Sequence, residues 1–369
     1  MNDYYLLRRL WSHLKSPIDG WLLLFTMGIF ALSLVVLFSA ANQNPAKVIN
    51  KLTFIALALL IMWGVANIKP PLLMQMAIPA YVIGVLLLLG VALFGEVVNG
   101  SRRWLHIGVT RIQPSEILKL AVPLTVAWYF QKHEHHLRWF HFVVATVIIA
   151  IPSVFILKQP DLGTAALIMA SGFFALFLAG LSWKVMLGGA VAFGASLPLV
   201  WSMMHDYQRR RIFTLIDPTT DPLGDGYHII QSMIAIGSGG ILGKGWLHGT
   251  QTHLEFIPER TTDFIFAVYA EEFGLVGNLV LLALYLLVIG RGLMIAAKAT
   301  TLFGRLLAGS IALSFFTYAF VNMGMVAGIL PVVGVPLPLV SYGGTATVVL
   351  LLGFGILMSI QKNRPLIKR

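Results

Sequence analysis

The chain has 369 residues, of which 58% are hydrophobic and only 11% are charged, and its mean hydropathy is +0.84. A soluble domain carries roughly 25% charged residues, so this composition excludes a soluble protein and indicates one embedded in lipid. The net charge of +11 does not indicate nucleic-acid binding, because the basic residues lie in short clusters between apolar runs and no nucleic-acid motif is present. Since the chain has no cysteine, a disulfide framework and a thiolate metal site are also excluded.

Ten apolar runs along the chain predict membrane-spanning helices, since a helix needs about 20 apolar residues to cross the hydrocarbon core of a bilayer. The polar stretch before the first run does not indicate a signal peptide, because that run is too long and lacks a small-residue cleavage site. The predicted spans are residues 20–40, 52–68, 72–95, 115–131, 140–157, 163–182, 184–204, 264–290, 303–329 and 342–360. The sequence therefore predicts an all-α polytopic membrane protein that forms one integral membrane domain over residues 1–369.

The longest polar connection runs from about residue 205 to residue 262, between the seventh and eighth predicted helices. Most connections have about 4–6 residues, so this loop is expected to be functional, and its glycines predict a tight, backbone-rich fold over the membrane surface. An even number of spans puts both termini on one side, and Lys and Arg in the short loops favour the cytoplasm for that side. The long loop is then extracytoplasmic, as is the short loop assigned to Lys47 and Lys51.

Charged residues of both signs converge on the predicted outer face. Most of the acidic residues lie there, together with basic residues that oppose the usual charge bias of membrane proteins. These basic residues are Arg102, Arg103, Arg111, Lys158, Arg209, Arg210, Arg211, Lys244 and Arg260. An anionic ligand on the outer face would explain their position.

Several polar motifs carry a resemblance to a known family. They are GSRRWL at 100–105, QPSE at 113–116 followed by Lys119, KQPDLG at 158–163, HGTQ at 248–251, PERTTDF at 258–264 followed by Glu271 and Glu272, and PLPLVSYGG at 336–344. With the ten-span pattern, these motifs resemble the shape, elongation, division and sporulation (SEDS) family over nearly the whole chain, most closely its members that act in rod-shape maintenance.

The resemblance implies a peptidoglycan glycosyltransferase that polymerises lipid II into glycan strands during cell-wall elongation. It also implies a site on the outer face of the bacterial cytoplasmic membrane, among membrane lipids. The implied partners are a class B penicillin-binding protein, which is a transpeptidase, and the elongation machinery. Joining two lipid II molecules requires a base for the attacking hydroxyl and cations for the departing pyrophosphate.

Asp263 is the candidate catalytic residue. It lies where the long polar loop enters the eighth predicted helix, after Thr261 and Thr262. An Asp in this position either caps the start of the helix or acts as a general base. Its match to the acidic residue regarded as essential in the SEDS family favours the general base.

Three further ionisable residues are candidates for substrate binding. Glu116 and Lys119 are three residues apart, so they share one helical face inside a predicted span. They form either a mutually neutralising structural pair or part of a polar cavity. Asp161, which follows Pro160, is either a helix cap or a ligand in the same cavity.

The basic candidates for substrate binding have alternatives as well. Arg103, beside Trp104, either belongs to an interfacial belt or contacts the ligand. Arg209 and Arg210 follow a span directly, where arginines often anchor to lipid headgroups. Lys244 and Arg260 lie in the long loop, and the proximity of this part of the loop to Asp263 favours contact with a diphosphate.

Glu271 and Glu272 are adjacent on a predicted helix, so their side chains point about 100° apart. They cannot both share the face of Asp263, and at least one is expected to have a structural partner.

No cofactor is predicted with certainty. A divalent cation such as Mg²⁺ would suit acidic residues beside a diphosphate, but the oxygen ligands have no diagnostic spacing, so no metal ligands are assigned. Two other functions stay open from the sequence, namely a lipid II flippase and a noncatalytic scaffold for a transpeptidase. A flippase needs access from both faces, and the concentration of charge on one face favours an enzyme.

Overall fold

The computed structural model describes residues 16–98, 101–107, 110–159, 161–204, 206–220, 224–254, 256–257 and 259–363. Within these ranges, ten long helices follow the ten predicted spans, so the all-α polytopic fold is confirmed. Three shorter helices lie between the seventh and eighth of them. The helices are α1 (Gly20–Ala40), α2 (Pro45–Ala66), α3 (Pro70–Phe94), α4 (Pro114–Lys132), α5 (Trp139–Lys158), α6 (Leu162–Leu178), α7 (Trp183–Met203), α8 (Asp206–Ile216), α9 (Asp225–Gly239), α10 (Thr250–His253), α11 (Ile265–Ala297), α12 (Leu302–Val326) and α13 (Gly344–Lys362).

Length and composition make seven of the described helices suitable for crossing a membrane, namely α1, α2, α3, α5, α11, α12 and α13. The apolar runs of α6 and α7 are shorter, at Leu162–Leu178 and Trp183–Leu199. Large apolar side chains, such as Leu93 and Trp183, are exposed on the outside of the bundle. Exposed apolar surface of this extent suits contact with lipid tails rather than water.

Helix α4 is enclosed by its neighbours. It packs against α3, α5, α6 and α12, and almost every residue from Leu118 to Ala127 is buried. Because α4 carries Glu116 and Lys119, this packing puts both charged side chains in the interior of the bundle. Helix α2 packs most extensively against α13, while α11 packs against α12 and α1.

The long connection is largely helical, which the prediction of a backbone-rich loop missed. Besides α8, α9 and α10 it contains a short 3₁₀ turn at Pro218–Thr220. In α9, Ile229, Ser232 and Ala235 are buried, and this spacing puts them along one face that packs against α11. The glycines at the end of α9 do make the predicted tight backbone contacts.

A small antiparallel sheet between α3 and α4 was not predicted. It consists of β1 (Glu96–Val98), β2 (Ser101–Ile107) and β3 (Thr110–Ile112), paired in the order β1-β2-β3. The sheet matters because β2 carries Arg103.

Helix α2 begins earlier than its predicted span. It starts at Pro45, with Asn44 as its N-cap, so Lys51 lies within the helix and is buried. The assignment of Lys51 to an outer loop was therefore wrong. The apolar run alone marked the span, and the polar first turns of the helix do not belong to that run.

Helix α11 is broken at Gly274, whose φ is 62° and ψ is −159°. The segment that follows α9 supplies the missing hydrogen bonds. Above the break, the amides of Lys244 and Gly245 donate to the carbonyls of Glu271 and Glu272, each at 3.0 Å. Below the break, the amides of Leu275 and Val276 donate to the carbonyls of Gly240 and Ile241, at 2.9 and 3.1 Å. The two segments therefore satisfy each other's backbone groups, as a helix break in an apolar environment requires.

We expect Gly274→Ala to lower the melting temperature of the detergent-purified protein by several degrees. A Cβ at Gly274 would lie 2.3 Å from the amide nitrogen of Gly243, and a positive φ with this ψ itself costs a non-glycine residue roughly 1–3 kcal/mol. Gly290→Ala, in the same helix, is the matched control, since a Cβ there meets no atom within 4 Å. Equal melting temperatures for the two variants would contradict this account of the break.

Candidate active site

Asp263 lies one residue before the cap of α11. The N-cap is Phe264, and no side chain caps this helix start. The helix-cap alternative is therefore wrong for Asp263. Its carboxylate is left available for other contacts.

The main chain around Asp263 is held by side chains from other segments. Asn322 in α12 donates from Nδ2 to the carbonyl of Asp263 at 2.8 Å and to the carbonyl of Val335 at 2.7 Å. Ser341 donates from Oγ to the carbonyl of Thr262 at 2.6 Å. The amide of Tyr342 donates to Thr261 at 2.8 Å. Two residues shortly before α13 and one polar side chain of α12 thus fix the position of Asp263.

The environment makes the Asp263 carboxyl a weaker acid than usual. Burial raises its pKa to about 6, the nearby Glu259 carboxylate adds to the rise, and the Arg103 guanidinium opposes it. Close packing continues on another side, because a Cβ at Gly334 would lie 3.4 Å from Oδ2 of Asp263. A carboxylate with this pKa is ionised near neutral pH and still basic enough to accept a proton.

Glu116 and Lys119 form the predicted pair. Nζ of Lys119 lies 2.5 Å from Oε1 of Glu116 and 4.9 Å from the ring centroid of Tyr318 in α12. All three line a cavity whose other walls are mostly apolar side chains of α12, α13 and the segment 336–343. Ser341 also lines this cavity, so the residue that holds Thr262 connects the cavity to the Asp263 segment.

Asp161 is confirmed as a helix cap, and its predicted contact with a ligand stays a prediction. It is the N-cap of α6 and accepts hydrogen bonds from the amide of Thr164 at 3.1 Å and from its hydroxyl at 2.9 Å. The same carboxylate lies 3.4 Å from Nε of Arg103 and within electrostatic range of Tyr318. Asp161 therefore holds Arg103, and the Arg103 guanidinium in turn acts electrostatically on Asp263.

Lys244 and Arg260 organise the loop around a different carboxylate. Nζ of Lys244 lies 2.7 Å from Oε1 of Glu271, which is completely buried, and it donates to the hydroxyl of Thr250 at 2.7 Å. Both carboxylate oxygens of Glu271 accept further hydrogen bonds, including two from Thr252. Arg260 donates from Nη1 to the carbonyl of Thr252 at 2.7 Å. These contacts engage both basic residues in loop structure, and their predicted contact with a diphosphate stays a prediction.

The expectation of a structural partner for the adjacent glutamates is confirmed for both. Glu271 has Lys244, and Glu272 accepts a short hydrogen bond from Ser39 in α1. Both carboxylates therefore anchor the upper half of α11.

Arg209 caps the end of α7. It donates to the carbonyls of Trp201 and Ser202 at 2.9 and 3.0 Å and lies over the Trp201 ring, 5.8 Å from its centroid. These are contacts with α7 itself, separate from the residues gathered around Asp263. The side chain of Arg210 lies outside the described part of the structure.

Sequence reasoning missed the uncharged residues of the site. Tyr318, Asn322 and Ser341 contribute a phenol, an amide and a hydroxyl from predicted spans or their ends, and such polar groups in apolar segments are a usable signal. Gly334 has no comparable signal, because its role depends on which residue the fold brings against it.

The arrangement is suited to activating a hydroxyl beside an anionic leaving group. Asp263 provides a base, while Arg103 and Lys119 place positive charge near the same cavity. Apolar walls and limited solvent strengthen these electrostatic interactions relative to water.

Comparisons with known proteins agree with this organisation. The family model FTSW_RODA_SPOVE, described as a cell cycle protein, matches residues 16–365. The chain is similar to the peptidoglycan glycosyltransferase MrdB of Escherichia coli strain K12, with 52% identity over 356 residues, which is 96% of each chain.

Two solved structures share the fold. One is a chain from work described as "Structural coordination of polymerization and crosslinking by a peptidoglycan synthase complex", with a TM-score of 0.82 and 34% identity, covering 94% of this chain and 98% of that one. The other is the rod shape determining protein RodA of Thermus thermophilus, with a TM-score of 0.72 and 28% identity, covering 94% and 97% of the two chains.

We expect the Asp263 carboxyl to titrate near pH 6, as measured by infrared difference spectra in which Asp263→Asn identifies the band. Arg103→Gln should move the midpoint to higher pH, because it removes the charge that opposes the rise in pKa. Glu259→Gln should move it to lower pH, because it removes a charge that adds to the rise. A wild-type midpoint near the ordinary value of about 4 would contradict the buried environment described for Asp263.

Proposed function

The chain belongs to the SEDS family, and from its membership we propose that it is a peptidoglycan glycosyltransferase that polymerises lipid II into glycan strands. Escherichia coli MrdB, which is named for this glycosyltransferase activity, shares 52% of its residues over 96% of both chains. Identity at this level over nearly the full length supports the same activity here. The finer assignments below rest on the site.

The environment and fixed position of the Asp263 carboxyl support the proposed chemistry. Its carboxyl is half-buried, its pKa is raised to about 6, and its main chain is held by Asn322 and through Ser341. A base tuned towards neutral pH and fixed in position is what activation of a sugar hydroxyl requires.

In the proposed reaction, the 4-hydroxyl of one lipid-linked disaccharide attacks the anomeric carbon of another. The hydroxyl proton goes to the Asp263 carboxylate as the new glycosidic C–O bond forms. The bond between the anomeric carbon and the pyrophosphate oxygen breaks, and the electron pair leaves with undecaprenyl pyrophosphate. Lys119 and Arg103 stabilise the negative charge that builds up on the leaving group.

One displacement with one base predicts inversion at the anomeric carbon. A covalent glycosyl intermediate would require a second carboxylate as a nucleophile close to the first. The role proposed for Asp161 is different, since it already caps α6 and pairs with Arg103. Asp161 and Glu116 instead hold the two cations in place.

The chain is an integral membrane protein, and we place it in the bacterial cytoplasmic membrane with both termini in the cytoplasm and Asp263 facing the periplasm. A class B penicillin-binding protein is the proposed partner, and cell-wall elongation the proposed process. The likeness to a chain of a synthase complex that coordinates polymerization and crosslinking supports a partner that cross-links the strands.

A divalent cation receives no ligands in this proposal. Among the residues that the structure describes, no group of three or more histidine or acidic side chains could hold a metal ion.

We expect Asp263→Asn to reduce polymerisation by about 10²–10⁴-fold, the usual contribution of a general base. The substitution keeps the size of the side chain and removes its basicity. Turnover is measured with labelled lipid II, with the purified variant bound to its partner transpeptidase, and folded protein is quantified separately. Asp217→Asn is the control, because Asp217 is exposed and accepts hydrogen bonds from Thr219.

Near-normal polymerisation by Asp263→Asn would show that the base has been misassigned. Translocation of lipid II without polymerisation, even by the wild-type protein, would replace the polymerase with the flippase.

Lys119 and Lys244 should behave differently when neutralised. Lys119→Met is expected to reduce turnover per folded molecule by at least 10-fold, since removing one charge-stabilising contact commonly costs about 10²-fold or more. Lys244→Met leaves the buried Glu271 without its cation, so it should mainly reduce folded yield. Lys362→Met, at an exposed position, should change neither quantity. Equal losses of turnover per folded molecule for all three would favour a general effect of charge.

A further inference from the structure

A buried lysine, Lys51, contacts the 339–341 turn, the same turn whose Ser341 holds the Asp263 segment. Lys51 of α2 has only 3% of its surface exposed. Its ammonium donates to three successive carbonyls, those of Leu339 at 3.2 Å, Val340 at a short distance and Ser341 at 2.8 Å. Every hydrogen bond described for the Lys51 ammonium thus goes to the main chain of one turn.

Placing an ammonium group in such a position is costly, because a charge is removed from water without an opposite charge in contact with it. Three carbonyl dipoles offset this cost by occupying the three N–H donors of the group. A residue that served only to fill space would be cheaper as an apolar side chain of the same length. The contact therefore has a purpose other than packing.

The turn that Lys51 binds has an unfavourable backbone conformation. Leu339 has a φ of 63°, which places a non-glycine residue in the left-handed region at a cost of roughly 1–3 kcal/mol. Three consecutive carbonyls rarely point towards one spot, and this conformation lets them converge on Nζ of Lys51. The ammonium stabilises the turn in return.

The same turn carries the supports of Asp263. Ser341, whose carbonyl accepts from Lys51, donates its hydroxyl to Thr262 at 2.6 Å, and Tyr342 donates its amide to Thr261 at 2.8 Å. These acceptors lie only one and two positions before Asp263 in the chain. A change in the turn is therefore transmitted directly to the Asp263 segment.

Two hydroxyl groups hold the turn as well. Ser33 of α1 donates to the carbonyl of Val340 at 2.9 Å, and Tyr285 of α11 donates to the carbonyl of Pro338 at 2.8 Å. Residues of three helices thus converge on a short stretch of main chain, and Lys51 supplies more of the hydrogen bonds than either hydroxyl.

We propose that Lys51 is a positioning residue for glycosyl transfer, because its ammonium fixes the 339–341 turn and thereby sets the place of Asp263 beside the cavity. Lys51 touches neither the cavity nor Asp263, so it acts through the main chain alone. The proposal rests on the polymerase function proposed above.

The test compares Lys51→Met with Lys47→Met in the complex with the transpeptidase. Methionine retains most of the length and removes the N–H donors, while Lys47 lies one turn earlier in α2 and is not the donor in the hydrogen bonds described for the 339–341 turn. We expect kcat for lipid II polymerisation to fall by about 10²-fold in Lys51→Met, as displacement of a catalytic group by about 1 Å can produce, with little change in KM. Lys47→Met should match the wild type.

The pH profile separates positioning from simple stabilisation. A loosened turn admits water to Asp263 and removes part of the burial that raises its pKa, so the acidic limb of kcat should move to lower pH in Lys51→Met. Lys51→Arg keeps the charge and the donors and should recover part of the lost turnover. If folded Lys51→Met has wild-type kcat and an unmoved acidic limb, Lys51 only stabilises the fold and the proposal is overturned.

Tyr285→Phe keeps the proposal testable should Lys51→Met fail to fold. It removes only the hydroxyl that holds Pro338, so it should lower kcat in the same direction by a smaller factor, with little change in KM. Unchanged kcat in folded Tyr285→Phe together with full activity of any folded Lys51 variant would contradict a role for the turn.

Hydrogen exchange provides a measurement that needs no substrate. The amide of Tyr342 and its neighbours in the peptide 337–345 should exchange faster in Lys51→Met, or in Tyr285→Phe, than in Lys47→Met. If the wild-type protein does not polymerise lipid II, the proposed function fails, and this comparison still decides whether Lys51 fixes the turn. Identical exchange in Lys51→Met and the wild type would overturn the inference.

Discussion

A peptide group inside a bilayer must find its hydrogen-bond partner within the protein, because lipid offers none. Two described segments of this protein leave the helical conformation among the long helices and therefore depend on partners from elsewhere. One is the break in α11 at Gly274, which the segment 240–245 completes. The other is the connection between α12 and α13, held by Lys51, Ser33 and Tyr285. The Asp263 segment is hydrogen-bonded to the second of these irregular segments.

This constraint also gives the site its rigidity. Asp263 directly precedes the N-cap of α11, and the upper half of this helix is anchored further along by Glu271 and Glu272 through Lys244 and Ser39. The main chain around Asp263 is hydrogen-bonded to α12 and to the turn before α13, whereas the Asp263 carboxylate takes no part in holding the fold. Support of this kind lets a reactive group be positioned before the substrate arrives, so little reorganisation is required during the reaction.

Properties that depend on local periodicity could be predicted from the sequence. Ten apolar runs predicted ten helices, and the three-residue spacing predicted the pairing of Glu116 with Lys119. Asp161 was left between a helix cap and a cavity ligand. The fold confirms the cap on α6 and adds a pairing with Arg103, while contact with a ligand stays a prediction. What could not be predicted depends on contacts between distant segments. The sequence of the small sheet that carries Arg103 has no strong strand pattern. Lys244 was predicted to bind a ligand because nothing in the sequence indicated its pairing with Glu271.

The Lys51 ammonium donates hydrogen bonds to main-chain carbonyls, and this determines how the residues of this site can vary among related sequences. Carbonyl groups are the same in every residue, so Leu339 and Val340 can be exchanged for other apolar residues that keep the turn without loss of the interaction. No compensating substitution is then required opposite Lys51. Co-varying pairs reveal contacts between side chains, and a contact of a side chain with the main chain leaves no such pair. Lys51 would therefore be retained as an isolated invariant lysine, with no second position that changes in step with it.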